Sequence, residues 1–540
     1  MLLSGDNHRR NSAGYLSRYF AHFGTATKAA LLLSALCFTA SCGKATNAEL
    51  TPPNIVVFLV DDMGLMDTSV PFLADTQGLA ERHPLNERYH TPNLELLASS
   101  GTRFTDFYTQ SVCSPTRSSL LTGQNATRHH TTTWIKPDEN NAGEFGPQDW
   151  NWKGLDSSSV TFPKLLQQQG YKTIHIGKGH FGPNDSEGAN PENIGFDVNI
   201  AGASWGRPKS YYGQDHYGNH PKYREQQSPV THAIPHLEAY YDKDIFLTEA
   251  LTREAQAQIQ QAAEESAPFL LYMSHYAVHA PFHADTRFTE RYKNLGLTER
   301  ETAFAGLVEG VDKSLGDIVE TLEASGVADN TLVIFLGDNG TDAPIGHIDD
   351  IAAAAPLRGK KGTSWEGGIR APLLISWAKP NAEHPAQQQT PVLAGAINRS
   401  LTTVMDLYPT ILGLANTTSP EAHPTDGSSL KAQLAGMEAD NTNKSFLMHF
   451  PHKHRHSYFT AMRHGDWKLI YHYNPQGKNN TPKYQLFNLK EDPSESHNLA
   501  QLQPEKLREM VKRMGTQLEN QGAQYPANKQ GHQLAPLYPR

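Results

Sequence analysis

Continuous apolar runs at residues 54–60 (NIVVFLV), 170–177 (GYKTIHIG), 267–276 (APFLLYMSHY), 331–340 (TLVIFLGDNG) and 371–377 (APLLISW) predict buried strands. Between them the apolar positions spread to helical spacing. Residues 91–101 carry Pro92 near the start and Gly101 at the end; 160–169, a long stretch from about 298 to 325 ending at Gly326, and 402–415 follow. Strand alternating with helix predicts an α/β fold: a large mixed, mostly parallel sheet sandwiched by helices. After about residue 420 the spacing changes. Short strand patterns at 457–463, 466–473 and 484–489 lie close together and precede an amphipathic helix at 503–520. They predict a smaller C-terminal α+β domain with an antiparallel sheet. Two segments, 130–160 and 184–240, have weak periodicity and many Gly, Pro, Asn, His and Trp residues. Loops of that length in compact enzymes are usually functional or flexible.

Composition narrows the class. The 540 residues include 47 Lys and Arg against 56 Asp and Glu, a net charge of −9. That argues against a dedicated nucleic-acid binder, which would show a basic excess. Three cysteines exclude a disulfide-built scaffold. Two of them, Cys37 and Cys42, fall in a leader: a basic stretch (Arg9, Arg10, Arg18, Lys28), a ten-residue apolar run at 29–38 and the small residues Thr39 to Gly43. The run is too short to span a bilayer, at about 20 residues per helix, and the whole reads as a signal peptide over residues 1–42. Ala40-Ser41-Cys42 also resembles a bacterial lipobox, in which Cys42 would be acylated and become the only membrane attachment. The alternative is ordinary cleavage nearby, for instance after Ala48. Both predict export, to the periplasm or the cell surface.

Candidate chemistry sits at strand ends, where open α/β sheets bind ligands. Asp61 and Asp62 follow one strand, and Asp338 and Asn339 follow another. They offer hard oxygen ligands suited to Ca²⁺ or Mg²⁺, although either acidic pair alone could simply cap a turn. Cys113 opens a short helical pattern with Pro115 in its first turn and Gly123 at its end. A helix N-terminus lowers a thiol pKa and favours anions, and Arg117 lies one turn further on. The residues alone therefore read as a reactive thiol beside an anion site, or as a buried structural cysteine.

Cys113-Ser-Pro-Thr-Arg117, followed by Ser-Ser-Leu-Leu-Thr-Gly, resembles the Cys-x-Pro-x-Arg signature of the type I (formylglycine-dependent) sulfatases, here of the bacterial polysaccharide type. Segments 56–64, 170–182, 275–282, 331–340, 357–372 and 484–500 resemble the family's other blocks, in the family's order. The resemblance implies an alkaline phosphatase-like fold, with a catalytic domain over 50–420 and a C-terminal subdomain over 421–540. It implies that a formylglycine-generating or sulfatase-maturating enzyme oxidises Cys113 to formylglycine (3-oxoalanine). One divalent cation, Ca²⁺ rather than Mg²⁺, would sit on Asp61, Asp62, Asp338, Asn339 and residue 113. Arg117 would hold the hydrated aldehyde. Lys178 and His180 would bind sulfate and serve the diol, His279 would protonate the leaving oxygen, and Lys361 would lie beside the sulfate. One position departs from the family: Gly179 stands where Trp is common, which would open the pocket wall.

The implied reaction is hydrolysis of a sulfate ester on a polysaccharide or oligosaccharide. His452, His454 and Arg455, in a His-rich stretch before the first C-terminal strand pattern, are candidates for touching the leaving-group sugar. Trp150, Trp152, Trp205, Tyr211 and Tyr212 could stack on sugars or pack in the core. Glu366 and Arg370 read as a structural ion pair. Two rivals remain at this level. One is phosphodiester or phosphonate chemistry on the same superfold; the other is a lipoprotein that binds sulfated glycans without turnover.

Overall fold

The computed structural model describes residues 52–75, 77–218, 233–477 and 481–539. The leader, with Cys37 and Cys42, lies outside them. Leu50–Arg540 is one compact unit.

The main sheet is built from β1 (Asn54–Val60), β2 (Thr102–Phe104), β3 (Lys172–Gly177), β4 (Val198–Ile200), β5 (Phe269–His275), β6 (Thr331–Gly337), β7 (Leu373–Trp377) and β8 (Ala396–Asn398), in the order β8-β2-β7-β6-β1-β5-β3-β4. Strand β1 is central and pairs in parallel with β5 and β6, while β7 runs antiparallel to both its neighbours. The remaining pairs are parallel, so the sheet is mixed and mostly parallel as expected.

Every residue of β1 is buried, and alternate side chains serve opposite layers. Val56, Phe58 and Val60 enter one core with the helices α1 (Pro92–Ser100), α3 (Leu247–Glu265) and α4 (Glu299–Ala324). Ile55, Val57 and Leu59 enter the other with α2 (Cys113–Thr122) and α5 (Leu407–Leu414). This two-sided burial is why the strands read as unbroken apolar runs. A second sheet, β9 (Ser445–Phe450), β10 (Phe459–His464), β11 (Trp467–His472) and β12 (Tyr484–Asn488), is fully antiparallel. Phe446, Met448 and Phe450 on one face join the second core, and Leu447, Met462 and Leu469 on the other pack on α6 (Pro504–Asn520).

Three elements differ from expectation. Strand β9 occupies 445–450, so His449 and Phe450 belong to a strand and the His-rich loop starts after them. The stretch 402–415 is split: Asp406 accepts from the Thr403 amide at 2.7 Å, which draws residues 404–406 into a 3₁₀ turn before α5. Helix α3 had no clear signal, because alanines carry much of its buried stripe (Ala250, Ala255, Ala262).

An ion cluster ties the two sheets together. Lys468 on β11 reaches Glu366 at 2.9 Å and Glu495 at 2.7 Å, and the Tyr108 hydroxyl donates to Glu366 at 2.6 Å. Arg370 is a looser partner of Glu366, at 3.6 Å, so the predicted pair exists within a larger structural network. Burial, with Glu366 close by and Lys468 opposing, pushes the Glu495 carboxyl up to about 7. The folded state therefore keeps a proton that the unfolded chain loses near pH 4.3. Stability from this group declines between roughly pH 4.5 and 7 and is level above. In Glu495→Gln that decline should vanish. Melting temperatures of the two proteins across pH 4.5–8 check this: parallel curves would contradict the assignment.

Candidate active site

The carboxyl edge of the main sheet gathers the charged residues. Asp61 and Asp62 follow β1, Asp338 and Asn339 follow β6, Lys178 and His180 follow β3, and His279 lies in the loop after β5. Asp62 and His180 have φ of 62° and 59°, a left-handed conformation that costs about 1–3 kcal/mol for residues other than glycine. Such backbone persists where surrounding structure holds it, commonly at functional sites.

Helix α2 brings Cys113 to the same point. Its first residues are pinned by their own hydroxyls: Thr116 accepts from the Gln110 amide at 3.0 Å and Ser114 from the Ile135 amide at 3.1 Å. The helix is buried along its whole length and ends at Gly123, whose φ of 69° suits a left-handed cap. Arg117 is fully buried. Its Nε and Nη2 both lie 2.9 Å from Asp338 Oδ2, and its Nη1 donates to Ser274 Oγ at 2.6 Å and to the Lys178 carbonyl at 3.1 Å. Ser274, which the sequence reading did not single out, thus helps hold the guanidinium. Lys178 Nζ lies 2.6 Å from Asp61, and Lys361 Nζ 2.6 Å from Asp62. Left-handed glycines Gly359 (φ 87°) and Gly362 (φ 78°) bracket the Lys360-Lys361 turn.

These contacts leave oxygens over. Asp61 Oδ1, Asp62 Oδ2 and Asn339 Oδ1 are buried and accept no hydrogen bond. Ligand atoms of Asp61, Asp338 and Cys113 lie within 4.8 Å of one another. Buried acceptors without donors are rare, and a cluster of them is satisfied by a cation. Hard oxygens of this kind fit Ca²⁺ or Mg²⁺, so the residues present suit the divalent ion that the resemblance implied. Burial, together with Asp338 and Asp62, pushes Asp61 well above the usual carboxylate range despite Lys178 and Arg117. Against the same burial, His279 and Lys361 hold Asp62 low, and Arg117 and Lys178 hold Asp338 low.

The thiol reading needs correction. Burial raises the Cys113 pKa, and Lys178 and Lys361 offset this only in part, with Asp61 and Asp338 opposing them. The helix N-terminus does not make an activated thiolate here.

Backbone carbonyls orient both imidazole rings. His180 Nε2 faces the Ile135 carbonyl at 2.7 Å, so it carries the proton, and the buried Nδ1 is an unused lone pair. Burial, then the Lys178 charge, pushes His180 well below its ordinary value. His279 Nδ1 donates to the Ala280 carbonyl at 2.7 Å, which leaves Nε2 3.6 Å from Asp62. Burial lowers His279 to about 3, although Asp62 pulls the other way. Tyr211 fixes this loop: its hydroxyl lies 2.8 Å from the Tyr276 carbonyl and 2.7 Å from that of His279.

Above the buried cluster opens a cleft of about 780 Å³ lined by Cys113, His180, His279 and Lys361. His454 and Arg455 reach it, with Arg455 forked onto Asp342 (2.5 and 3.0 Å). His452 does not. It is buried, with Nε2 2.8 Å from Thr132 Oγ1 and Nδ1 3.0 Å from the Ala142 carbonyl, so it is a structural residue. Of the five aromatic candidates Trp205 lines the cleft; Tyr211 is buried, the Tyr212 hydroxyl bonds the Ala284 carbonyl, and Trp150 and Trp152 lie in a separate cluster. Gly179 does not open the wall. A Cβ there would lie 3.0 Å from the Ala203 carbonyl oxygen, so its absence lets the 201–209 segment close in, and Gly206 packs on the His180 ring.

Buried cations and a cation-ready oxygen cluster around one side chain, at the carboxyl edge of such a sheet, define a hydrolase for esters of tetrahedral oxyanions. The chain belongs to the sulfatase family, matched over residues 53–417, and is a sulfuric ester hydrolase; a second family, described as N-sulphoglucosamine sulphohydrolase, C-terminal, matches residues 360–537. It is 31% identical to human (Homo sapiens) N-acetylgalactosamine-6-sulfatase over 402 residues, 73% of this chain and 67% of that protein. It is 27% identical to a sulfatase of Formosa agariphila over 525 residues, 87% of this chain and 88% of that one. Among solved structures, Ps i-CgsB in complex with k-i-k-neocarrahexaose matches with a TM-score of 0.68 and 26% identity, over 89% of this chain and 96% of that one.

Proposed function

We propose that the protein is an exported sulfatase that removes sulfate from a sulfated polysaccharide or oligosaccharide, using formylglycine at position 113 and one divalent cation, Ca²⁺. The observation that carries this reading is the site of Cys113: it lies among Asp61, Asp338 and Arg117 at the floor of a cleft lined by seven Lys and Arg residues (136, 207, 209, 300, 360, 361, 455) against two Asp (138, 342). Such a surface suits a polyanion. The relatives support it, since Ps i-CgsB was solved with a neocarrahexaose. The basic and apolar leader supports export, with Cys42 as a lipid attachment point.

Formylglycine at 113 supplies an aldehyde whose hydrate offers a nucleophilic hydroxyl, and the ion supplies Lewis acidity and orientation. The remaining work falls to this chain. Arg117, locked on Asp338, holds positive charge beneath residue 113. Lys178 and Lys361 bring ammonium groups to the sulfate oxygens, where charge builds up as the ester bond breaks. His180 Nδ1, neutral and unpartnered, accepts a proton from the side chain at 113. His279, with Nδ1 committed to Ala280, presents Nε2 to the cleft, and when protonated gives that proton to the leaving oxygen beside Asp62.

A phosphonate monoester hydrolase shares the fold at 19% identity (TM-score 0.57). Release of sulfate against phosphonate from matched aryl esters separates the two chemistries. The direct test is mass spectrometry of the peptide containing residue 113 after co-expression with a maturating enzyme. The peptide should be lighter by the exchange of sulfur and two hydrogens for oxygen. An intact thiol in fully active protein would overturn the mechanism.

A further inference from the structure

The seven cations of the cleft divide by what holds them. Lys361 is paired with Asp62, Arg455 with Asp342 and Lys136 with Glu139, while Lys360 donates to the Ala343 and Ile345 carbonyls. Arg207, Lys209 and Arg300 form no ion pair among the described residues. Arg207 and Lys209 are exposed on the 201–209 segment, and Lys209 is lowered first by burial and then by the Arg207 charge beside it, with Asp138 opposing. Arg300, in the first turn of α4, lies over the Phe282 ring at 5.4 Å, three residues along the chain from His279. All three line the same cleft as Cys113.

Two like charges set side by side repel; one carboxylate, Asp138, acts on Lys209, so cations remain in excess and the arrangement gains when an anion enters. The backbone explains how they come to be there. Gly179 allows the 201–209 segment to pass close to the His180 loop, which places Arg207 one residue beyond the glycine that packs on the His180 ring.

Resting on the sulfatase reading above, the geometry points to a second anion subsite formed by Arg207, Lys209 and Arg300, which takes a further anionic substituent of the substrate while another sulfate ester occupies the buried site. The preferred substrate is then multiply charged. The substituent is a second sulfate or a carboxylate.

The test uses Cys113→Ser protein, which keeps the cleft without turnover, and titration calorimetry with two probes, inorganic sulfate and sucrose octasulfate. Adding Arg207→Ala and Lys209→Ala should weaken octasulfate binding by about tenfold or more and leave inorganic sulfate unchanged. Arg300→Ala should act the same way. Lys512→Ala with Lys529→Ala removes equal charge from exposed positions outside the cleft and should change neither. Equal octasulfate affinity in the Arg207/Lys209 variant and its parent, or an equal loss in the Lys512/Lys529 control, would overturn the subsite. Glucuronate-bearing and disulfated oligosaccharides of one length then assign the substituent: the carboxylate is favoured if the first loses more affinity in the variant, the sulfate if the second does. Failure of matured wild-type protein to release sulfate would instead sink the function proposed above, a result independent of these affinities.

Discussion

Protein carrying Cys113→Ser, produced without a maturating enzyme so that the serine stays a serine, is expected to release sulfate on the order of 10⁴-fold more slowly than matured wild type, or worse, while melting at nearly the same temperature. Serine has almost the shape of cysteine, and the position is buried at the start of a helix held by Thr116, Ser114 and Arg117, none of which bonds the sulfur. The fold therefore has little reason to change. The chemistry has: a serine hydroxyl can at most become sulfated, and a plain sulfate ester has no second hydroxyl from which His180 could draw a proton to expel sulfate. The measurement is sulfate release under single-turnover and steady-state conditions. A variant that turns over repeatedly at more than about a tenth of the wild-type rate would contradict formylglycine, because only an ordinary nucleophile survives the exchange.

How much of this site could be read from the chain depends on what held each residue in place. Asp61, Asp62, Asp338 and Asn339 were legible because β1 and β6 are buried on both faces. Their apolar runs stop where the sheet ends, and the polar residues that follow face the ligand edge. Lys178 and His180 also follow a buried strand, β3, but a single Lys or His there is an ordinary surface residue as often as a ligand, so they, His279 and Lys361 were placed by the resemblance. His452 was misplaced because a His-rich run looks solvated, whereas its partners Thr132 and Ala142 come from a segment some 300 residues away. Ser274 was invisible, and Tyr211 was legible only as a stacking or core residue, for a related reason. Each acts through carbonyls or a guanidinium brought near by the fold, which no spacing rule encodes. Gly179 shows the same limit in reverse: the missing side chain was legible, but what fills the space was not.

Calcium is expected to raise the melting temperature of the wild-type protein, and Asp61→Asn to abolish that rise together with at least about a hundredfold of activity. Three carboxylates, Asp61, Asp62 and Asp338, face three cations, Arg117, Lys178 and Lys361, so with all three acids ionised the cluster's charges balance before an ion enters. Yet Asp61 Oδ1, Asp62 Oδ2 and Asn339 Oδ1 accept nothing, and a divalent ion supplies what they lack while turning the cluster net positive for an incoming sulfate. At a hundred times its dissociation constant such an ion stabilises by about 2.7 kcal/mol. Asparagine at 61 removes one charge and puts an amide among the donors, which weakens the ion's hold. It also takes the partner carboxylate from the buried Lys178 ammonium, 2.6 Å away, so each protein's calcium-free melting temperature is its own baseline. The check is a pair of calcium titrations followed by thermal unfolding, repeated with magnesium. Calcium, the ion proposed above, should act at lower concentration than magnesium, which gives up its hydration water reluctantly. Equal calcium-dependent stabilisation in wild type and Asp61→Asn would mean that the ion binds elsewhere.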